Sequence, residues 1–494
     1  MESRKIIKVI LFSMAGLLIL SATIAILILT QPEEPVEVPD EIVEPEVKAT
    51  VFADFEIEAV KSIHVTNQKD DGYTVVSNEL TAGYNYLILE LEERSDNVPY
   101  NQDSLRSMVQ AITRFSSRST VEENTKGLEK YGLVSPVATV EVEFTQKRSL
   151  VFFVGDPTPD GMTHYLRVKG DDAVYAIESY KITPFFNERH DWVHTLAFPQ
   201  YSTSDAPTIS RVEINRPDIE DDPIVIEAIP SMALEELRTF NSHKLVSPVN
   251  VEVHPEKSAS VIFGLFGLSA TNVLWVAPDE VDFELSGLST PQCVVEVVAG
   301  DDVYTLTIGD SYQGGYYGIS SHVPELLFLF SEASLPWLSV TAEDLVSDVF
   351  LTPYIFSLDK LIIEIEDDAH EFATLEFTII GDDDDNTVFF NGNPLSANER
   401  DKFGELYQYL ISARGETLFM TETPDAKTVV KITFVYRDVN RGQDVVEYLA
   451  GNNRRSIIRI NGDNIFTCRD IYTTRLLQNI QAFTDGENPI VLDW

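Results

Sequence analysis

Cysteine, histidine and basic side chains are all scarce in this sequence. Two cysteines, Cys293 and Cys468, among 494 residues leave no CxxC pair and no Cys/His framework for a metal. In an exported chain two cysteines can form one disulfide. Each of these sits in a β-like apolar stretch in a different part of the chain, so two buried free thiols fit equally well. GxSxG, P-loop and GxGxxG motifs are absent, as is a Cys/His nucleophile pair at a supporting spacing. Lys and Arg number 36 against 80 Asp and Glu, a net charge of −44. A surface of that sign repels phosphate backbones and excludes nucleic-acid binding. It also argues against broad adsorption to anionic lipid or wall polymer, and its main effect is solubility.

Charge is missing altogether from Val9 to Thr30, a run of 22 residues. As a helix rising about 1.5 Å per residue, the run crosses a hydrocarbon core of about 30 Å. Ser21-Ala22-Thr23-Ile24-Ala25 resembles a signal cleavage site, but the apolar run continues through Ile26–Leu29, and no cysteine follows to take a lipid anchor. Arg4, Lys5 and Lys8 precede the run, while Glu33 and Glu34 follow it. The positive-inside rule therefore predicts a cytoplasmic stub at 1–8, a lipid-spanning anchor at 9–30 and the bulk of the chain outside the cell membrane. Residues 31–50 hold four prolines and seven acids, which predicts an extended spacer reaching up to roughly 60 Å.

Beyond the spacer the sequence reads as three diverged copies of one module, at 51–205, 206–357 and 358–494. Alternating strands open each copy: VKSIHVTN from residue 60, ISRVEINR from 209 and LDKLIIEI from 358, spaced by 149 residues both times. A helix follows. In the first copy it is expected within residues 101–124, with Leu105, Met108, Ile112 and Phe115 on one face. The third copy's helix begins at a Ser396/Glu399 capping box and carries Phe403, Leu406, Tyr407 and Leu410. SASVIFGLFGLSATN, in the second, is a looser match. Next come KYGLVSPVATVEVEF and LSGLSTPQCVVEVV, whose Pro136 and Pro291 are 155 positions apart. A glycine here ends a helix in the left-handed conformation, the leucine turns inward, and the proline leads into a strand. A strand meander completes each copy, with Gly155-Asp156 and Gly309-Asp310 read as turns, before a short linking helix. The fold class predicted is α+β.

The order GL-x-x-P, alternating strand, lxiGd, YxRvxgxxxVY, then a helix leading into xxIxIxI resembles a bacterial family, the domain of unknown function family numbered 4340. The resemblance is strongest over 126–216 and recurs at 285–365. The third copy lacks the GL-x-x-P signature, and TETPDAKTVV only loosely takes its place. The resemblance implies an envelope protein with an N-terminal membrane anchor, often encoded beside a gliding-type ABC transporter. It implies no catalytic residue and no cofactor.

Four groups of residues invite a chemical reading. His190-Asp191-Trp192-Val193-His194 places two histidines one helical turn apart, the spacing of zinc ligands. Asp stands where HExxH peptidases carry their Glu, and no third ligand is evident. The Asp382–Asp385 run offers oxygens to a hard cation but lacks EF-hand spacing, so a solvated hairpin tip explains it as well. Tyr312, Tyr316 and Tyr317 around Gly314-Gly315 offer flat faces for sugars, although Tyr317 falls near Tyr165 of the first copy, as a core residue would. Residues 400–494 carry 12 basic and 13 acidic residues, net −1, against −43 for the rest. There Arg454, Arg455 and Arg459 form a candidate partner surface, or a strand edge guarded by positive charge. The expectation is a single-pass, extracytoplasmic, non-catalytic accessory or scaffold protein of an envelope or transporter complex. The alternatives are a glycan-binding module and a metal-dependent hydrolase using His190 and His194.

Overall fold

The computed structural model describes residues 49–490, apart from 81–82, 146, 220–221, 230–241, 367–373, 382–385, 424 and 440. The span expected at 9–30, the spacer up to residue 48 and the Asp382–Asp385 run lie outside the described residues. Among the described residues no helix is long and apolar enough to cross a membrane.

The chain is mostly β-sheet, in three antiparallel sheets with a few helices. The first sheet contains β1 (Val60–Asn67), β2 (Tyr73–Leu80), β3 (Gly83–Ile88), β4 (Ser119–Glu122), β5 (Ala138–Phe144), β6 (Ser149–Pro157), β7 (Thr163–Val168) and β8 (Val174–Glu178). Its order is β3-β2-β1-β5-β6-β7-β8-β4. In the second sheet are β9 (Ile209–Asn215), β10 (Ile224–Ala228), β11 (His243–Ser247), β12 (Val251–Glu252), β13 (Asn272–Val276), β14 (Cys293–Ala299), β15 (Asp302–Tyr312), β16 (Gly315–Ser320) and β17 (Leu326–Ser331). The third comprises β18 (Leu358–Ile365), β19 (Thr374–Ile380), β20 (Thr387–Phe390), β21 (Asn393–Pro394), β22 (Thr417–Leu418), β23 (Thr428–Tyr436), β24 (Gln443–Ala450), β25 (Arg455–Ile460) and β26 (Asp463–Arg469). These two sheets run β12-β11-β10-β9-β14-β15-β16-β17-β13 and β21-β20-β19-β18-β23-β24-β25-β26-β22, the first order with one short edge strand added.

Period-two alternation gives each strand two faces. One face buries Ile63 and Val65, Val212 and Ile214, or Leu361 and Ile363 in a core continuous through all three sheets. Helices cover that face. Gln102–Thr113 starts where the Asn101 side chain accepts the Ser104 N–H at 3.1 Å, and it buries Leu105, Met108, Val109 and Ile112. It is shorter than the sequence suggests. The chain leaves helical geometry at Arg114, Phe115 is buried past the end, and residues 119–122 pair with β8 because their β-branched pair Thr120-Val121 suits an edge strand. The second helix is Pro255–Phe263. The third, Ala397–Ile411, has the Ser396/Glu399 capping box and buries Phe403, Leu406, Tyr407 and Leu410.

Successive sheets are joined by the same backbone device. Val193 bridges Tyr100 behind it, and three residues later Leu196 bridges Ser269 ahead. Val346 likewise bridges Val253, and Val349 bridges Arg414. The N–H of His194 donates to Pro99 O at 2.8 Å, as that of Ser347 does to Glu252 O at 3.0 Å. Val51, just after the spacer, bridges Ser116 in the equivalent slot. Each slot thus holds an extended strap whose backbone polar groups are satisfied by strand-type pairing.

Candidate functional site

The paired sequence motifs meet in space. Gly132 (φ 67°) and Gly287 (φ 72°) close the short helical turns Glu129–Tyr131 and Glu280–Leu285 in the left-handed region. A Cβ on Gly132 would fall 2.4 Å from Asp156 Cγ, and one on Gly287 would fall 2.5 Å from Asp310 Cγ. Cβ atoms on Gly155 and Gly309 would lie 2.1 Å from the carbonyl oxygens of Tyr131 and Ser286. The Gly-Leu and Gly-Asp motifs are therefore two halves of one joint. This corrects the reading of Gly-Asp as a turn: both pairs lie inside long strands, β6 and β15, at register shifts opposite β7 and β16. The missing side chain lets the bulged strand touch the helical turn. Leu133 and Leu288 do turn inward, but onto the other face of the sheet, in small clusters with Tyr131 and Val174, or Tyr317 and Leu327.

The histidine string departs from expectation. Arg189–Trp192 is one 3-10 turn with a Glu188/Asp191 capping box, and Val193 is extended. His190 and His194 therefore do not share a helix face. Tertiary contacts unwind the segment: Val193 is held by its bridge to Tyr100, and the Trp192 indole N–H donates to Tyr73 Oη at 3.0 Å. Arg189 binds buried Asp70 through both its backbone and its side chain. Burial alone would raise the Asp70 pKa, but hydrogen bonds from Arg189 and Gly72 outweigh it and hold the carboxyl at about 2. Burial, then the neighbouring Arg189 charge, lowers the His190 pKa. Among the described residues no group of three or more His, Cys, Asp or Glu is arranged to hold a metal ion.

Tyr312 and Tyr317 stack at 5.0 Å across a two-residue hairpin, with Gln313 (φ 46°) and Gly314 (φ 82°) at its tip. Tyr317 is buried, and Tyr316 packs against the main core. The three arginines differ. Arg454 is exposed in a turn at φ 60°. Arg455 pairs with Glu416, which also takes Arg469 at 2.7 Å. Arg459 lies 3.8 Å from Glu447 and donates to Asn464 at 3.0 Å. Across the outer face of the third sheet, Glu364, Lys431, Glu447 and Arg459 occupy one register row of alternating sign. Arg459 also borders a polar cavity of about 480 Å³ between the Pro248–Asn250 turn and Met420–Thr423. Cys293 and Cys468 are buried free thiols in different sheets, and burial pushes both up to about 12.

Sequence reasoning missed the Asp70–Arg189 pair and a second clamp. The Asn67 amide donates to Phe185 O and Asn187 O at 3.0 and 2.8 Å, tying the end of β1 to the linking segment. Arg216, 149 positions later, is buried and donates to Trp337 O and Val340 O at 2.7 and 2.9 Å. The equal spacing carries that signal, but the residue types hide it.

The arrangement defines a chain of α+β units held by interlocking backbone joints. Residues 93–231 match the family described as Domain of unknown function (DUF4340), the family that residues 126–216 resemble. The matched stretch runs from before the first helix, through β4–β8 and the link, to just past β10. It therefore straddles two sheets and includes the joint of the first, but only the linking-segment side of its clamps, since Asn67 and Asp70 precede the match. No curated protein and no solved structure matches the chain.

Proposed function

We propose that the chain is a single-pass membrane protein with an extracytoplasmic ectodomain of three diverged copies of one module, acting as a non-catalytic accessory or scaffold subunit of a cell-envelope complex. The observation that carries the reading is the recurrent strap and slot: Leu196–Ser269 and Val349–Arg414 link the sheets one after another, and Val51–Ser116 seats the segment before the first sheet by the same kind of bridge. A duplicated unit with one joining rule builds length and surface. The anchor at 9–30 and the outward orientation rest on the sequence, and the association with an ABC transporter rests on family resemblance alone.

Crosslinking in native membranes, followed by mass spectrometry, tests the reading. The expected result is a recurrent set of integral envelope proteins joined to residues beyond 50, with those residues digested by protease added outside. An ectodomain protected from outside protease, or a chain with no crosslinked neighbour, overturns it.

A further inference from the structure

The first two joints differ in a way their shared geometry does not require. Most packed positions keep their character: Leu128, Leu133, Tyr165 and Val174 in the first correspond to Phe283, Leu288, Tyr317 and Leu327 in the second, while buried Tyr131 gives way to Ser286. The positions turned toward solvent do not. Lys126 and Lys130 correspond to Val281 and Leu285, counted back from the shared glycine. Glu122, opposite Val174, corresponds to Trp275, opposite Leu327. In the first joint these positions are polar, with Lys130 bound to Glu122 at 2.7 Å. In the second, Val281 is 60% exposed, Leu285 73% and Tyr312 37%, with half-buried Trp275 nearby. Since the first joint closes with lysines at the positions of Val281 and Leu285, folding does not demand apolar groups there, and exposed apolar side chains gathered at one joint mark a contact surface.

We infer that the Trp275–Val281–Leu285–Tyr312 face docks a basic amphipathic helix of a protein partner. Apolar area supplies the driving force, and the surrounding charge selects the occupant. Residues 277–292 hold four acids and no Lys or Arg; Glu280 and Glu284 are exposed on the same helical turn, and Asp310 is exposed beside it. That rim repels anionic lipid and an identical face on a second copy, and it attracts an apolar stripe edged with Lys or Arg. The inference deepens the scaffold reading and rests on it, but its test is separate, because crosslinking asks whether a complex exists and titration asks whether this face docks.

The full chain in nanodiscs of neutral lipid is titrated with two fluorescent peptides of about 14 residues, one of Leu and Lys and one of Leu and Glu at the same positions. The Leu/Lys peptide is expected to bind at least tenfold more tightly than the Leu/Glu peptide. Val281→Gln/Leu285→Gln, which removes apolar area without adding charge, is expected to weaken it at least tenfold. The reciprocal Lys126→Val/Lys130→Leu change strengthens it. Circular dichroism and Leu285→Gln alone guard against misfolding. Equal binding of both peptides, unchanged binding by the double variant, or tighter binding to vesicles with 30% anionic lipid overturns the inference.

Discussion

The first and third sheets share a strand order and little of their outer chemistry. On the first, a Gly-Leu turn and a Gly-Asp bulge lock together over Tyr131, Leu133 and Val174. On the third no such joint exists among the described residues, and the outer face instead carries the row Glu364, Lys431, Glu447 and Arg459. The same topology is thus completed by close packing in one place and by charge pairing in the other. Packing without a spare atom is intolerant of change, while solvated ion pairs contribute little each. The two ends of the chain are therefore expected to respond very differently to substitution.

The largest effect is expected at the joint. Gly155→Ala and Gly309→Ala each drive a methyl into a backbone carbonyl, with no rotamer to relieve it, at a cost of roughly 2–4 kcal/mol. Denaturant unfolding gives the loss, and hydrogen exchange at 128–140 or 283–295 locates it. If one glycine tolerates Ala, the two joints are not equivalent.

Acid sharpens the contrast between linking segments. The Asp70 carboxyl is depressed to about 2 from an ordinary 3.8, so its contribution is complete above about pH 4 and is lost as the pH falls toward 2. The shift corresponds to about 2 kcal/mol. In the second unit Arg216 holds the carbonyls of Trp337 and Val340, contacts that acid does not remove, while its other partner, Asp218, lies exposed outside the link. Hydrogen exchange between pH 5 and 2.5 should show residues 185–193 loosening before 337–346, and Asp70→Asn should abolish the difference. Simultaneous loosening would show that the ion pair does not control the link.

The smallest effect is expected on the third sheet. Arg454→Glu/Arg455→Glu removes one of the two partners of Glu416 at a half-exposed site and leaves Arg469 in place, costing about 1 kcal/mol or less. A thermal melt shifted by only a few degrees fits that expectation. Loss of folding would mean that the Arg455–Glu416 pair carries this edge of the sheet. If the arginines form a partner surface, the same variant loses its crosslinked neighbours while remaining folded.

The strand openings at 60, 209 and 358, the capping box at Ser396 and the left-handed glycines at 132 and 287 were legible because each depends on a short local pattern. The helix ending at Thr113, the unwound His190 segment and the Gly-Asp bulges were not, because contacts from distant residues override local preference there. At the histidines, Asp70 and Tyr73 lie about 120 positions away and pull the chain out of helical geometry.

By itself, the sequence determined the α+β class, the alternation of the strands, the matching motifs and the net acidity, all of which follow from composition and near-neighbour periodicity. Only the tertiary structure decided which face of each strand meets the core, that Gly-Leu and Gly-Asp form one joint, and that Val281 and Leu285 stand where the first unit has lysines in solvent. The physical reason is that alternation creates two faces without ranking them. Which face is covered depends on where the helices and straps dock, and that is settled by packing between residues far apart in the chain.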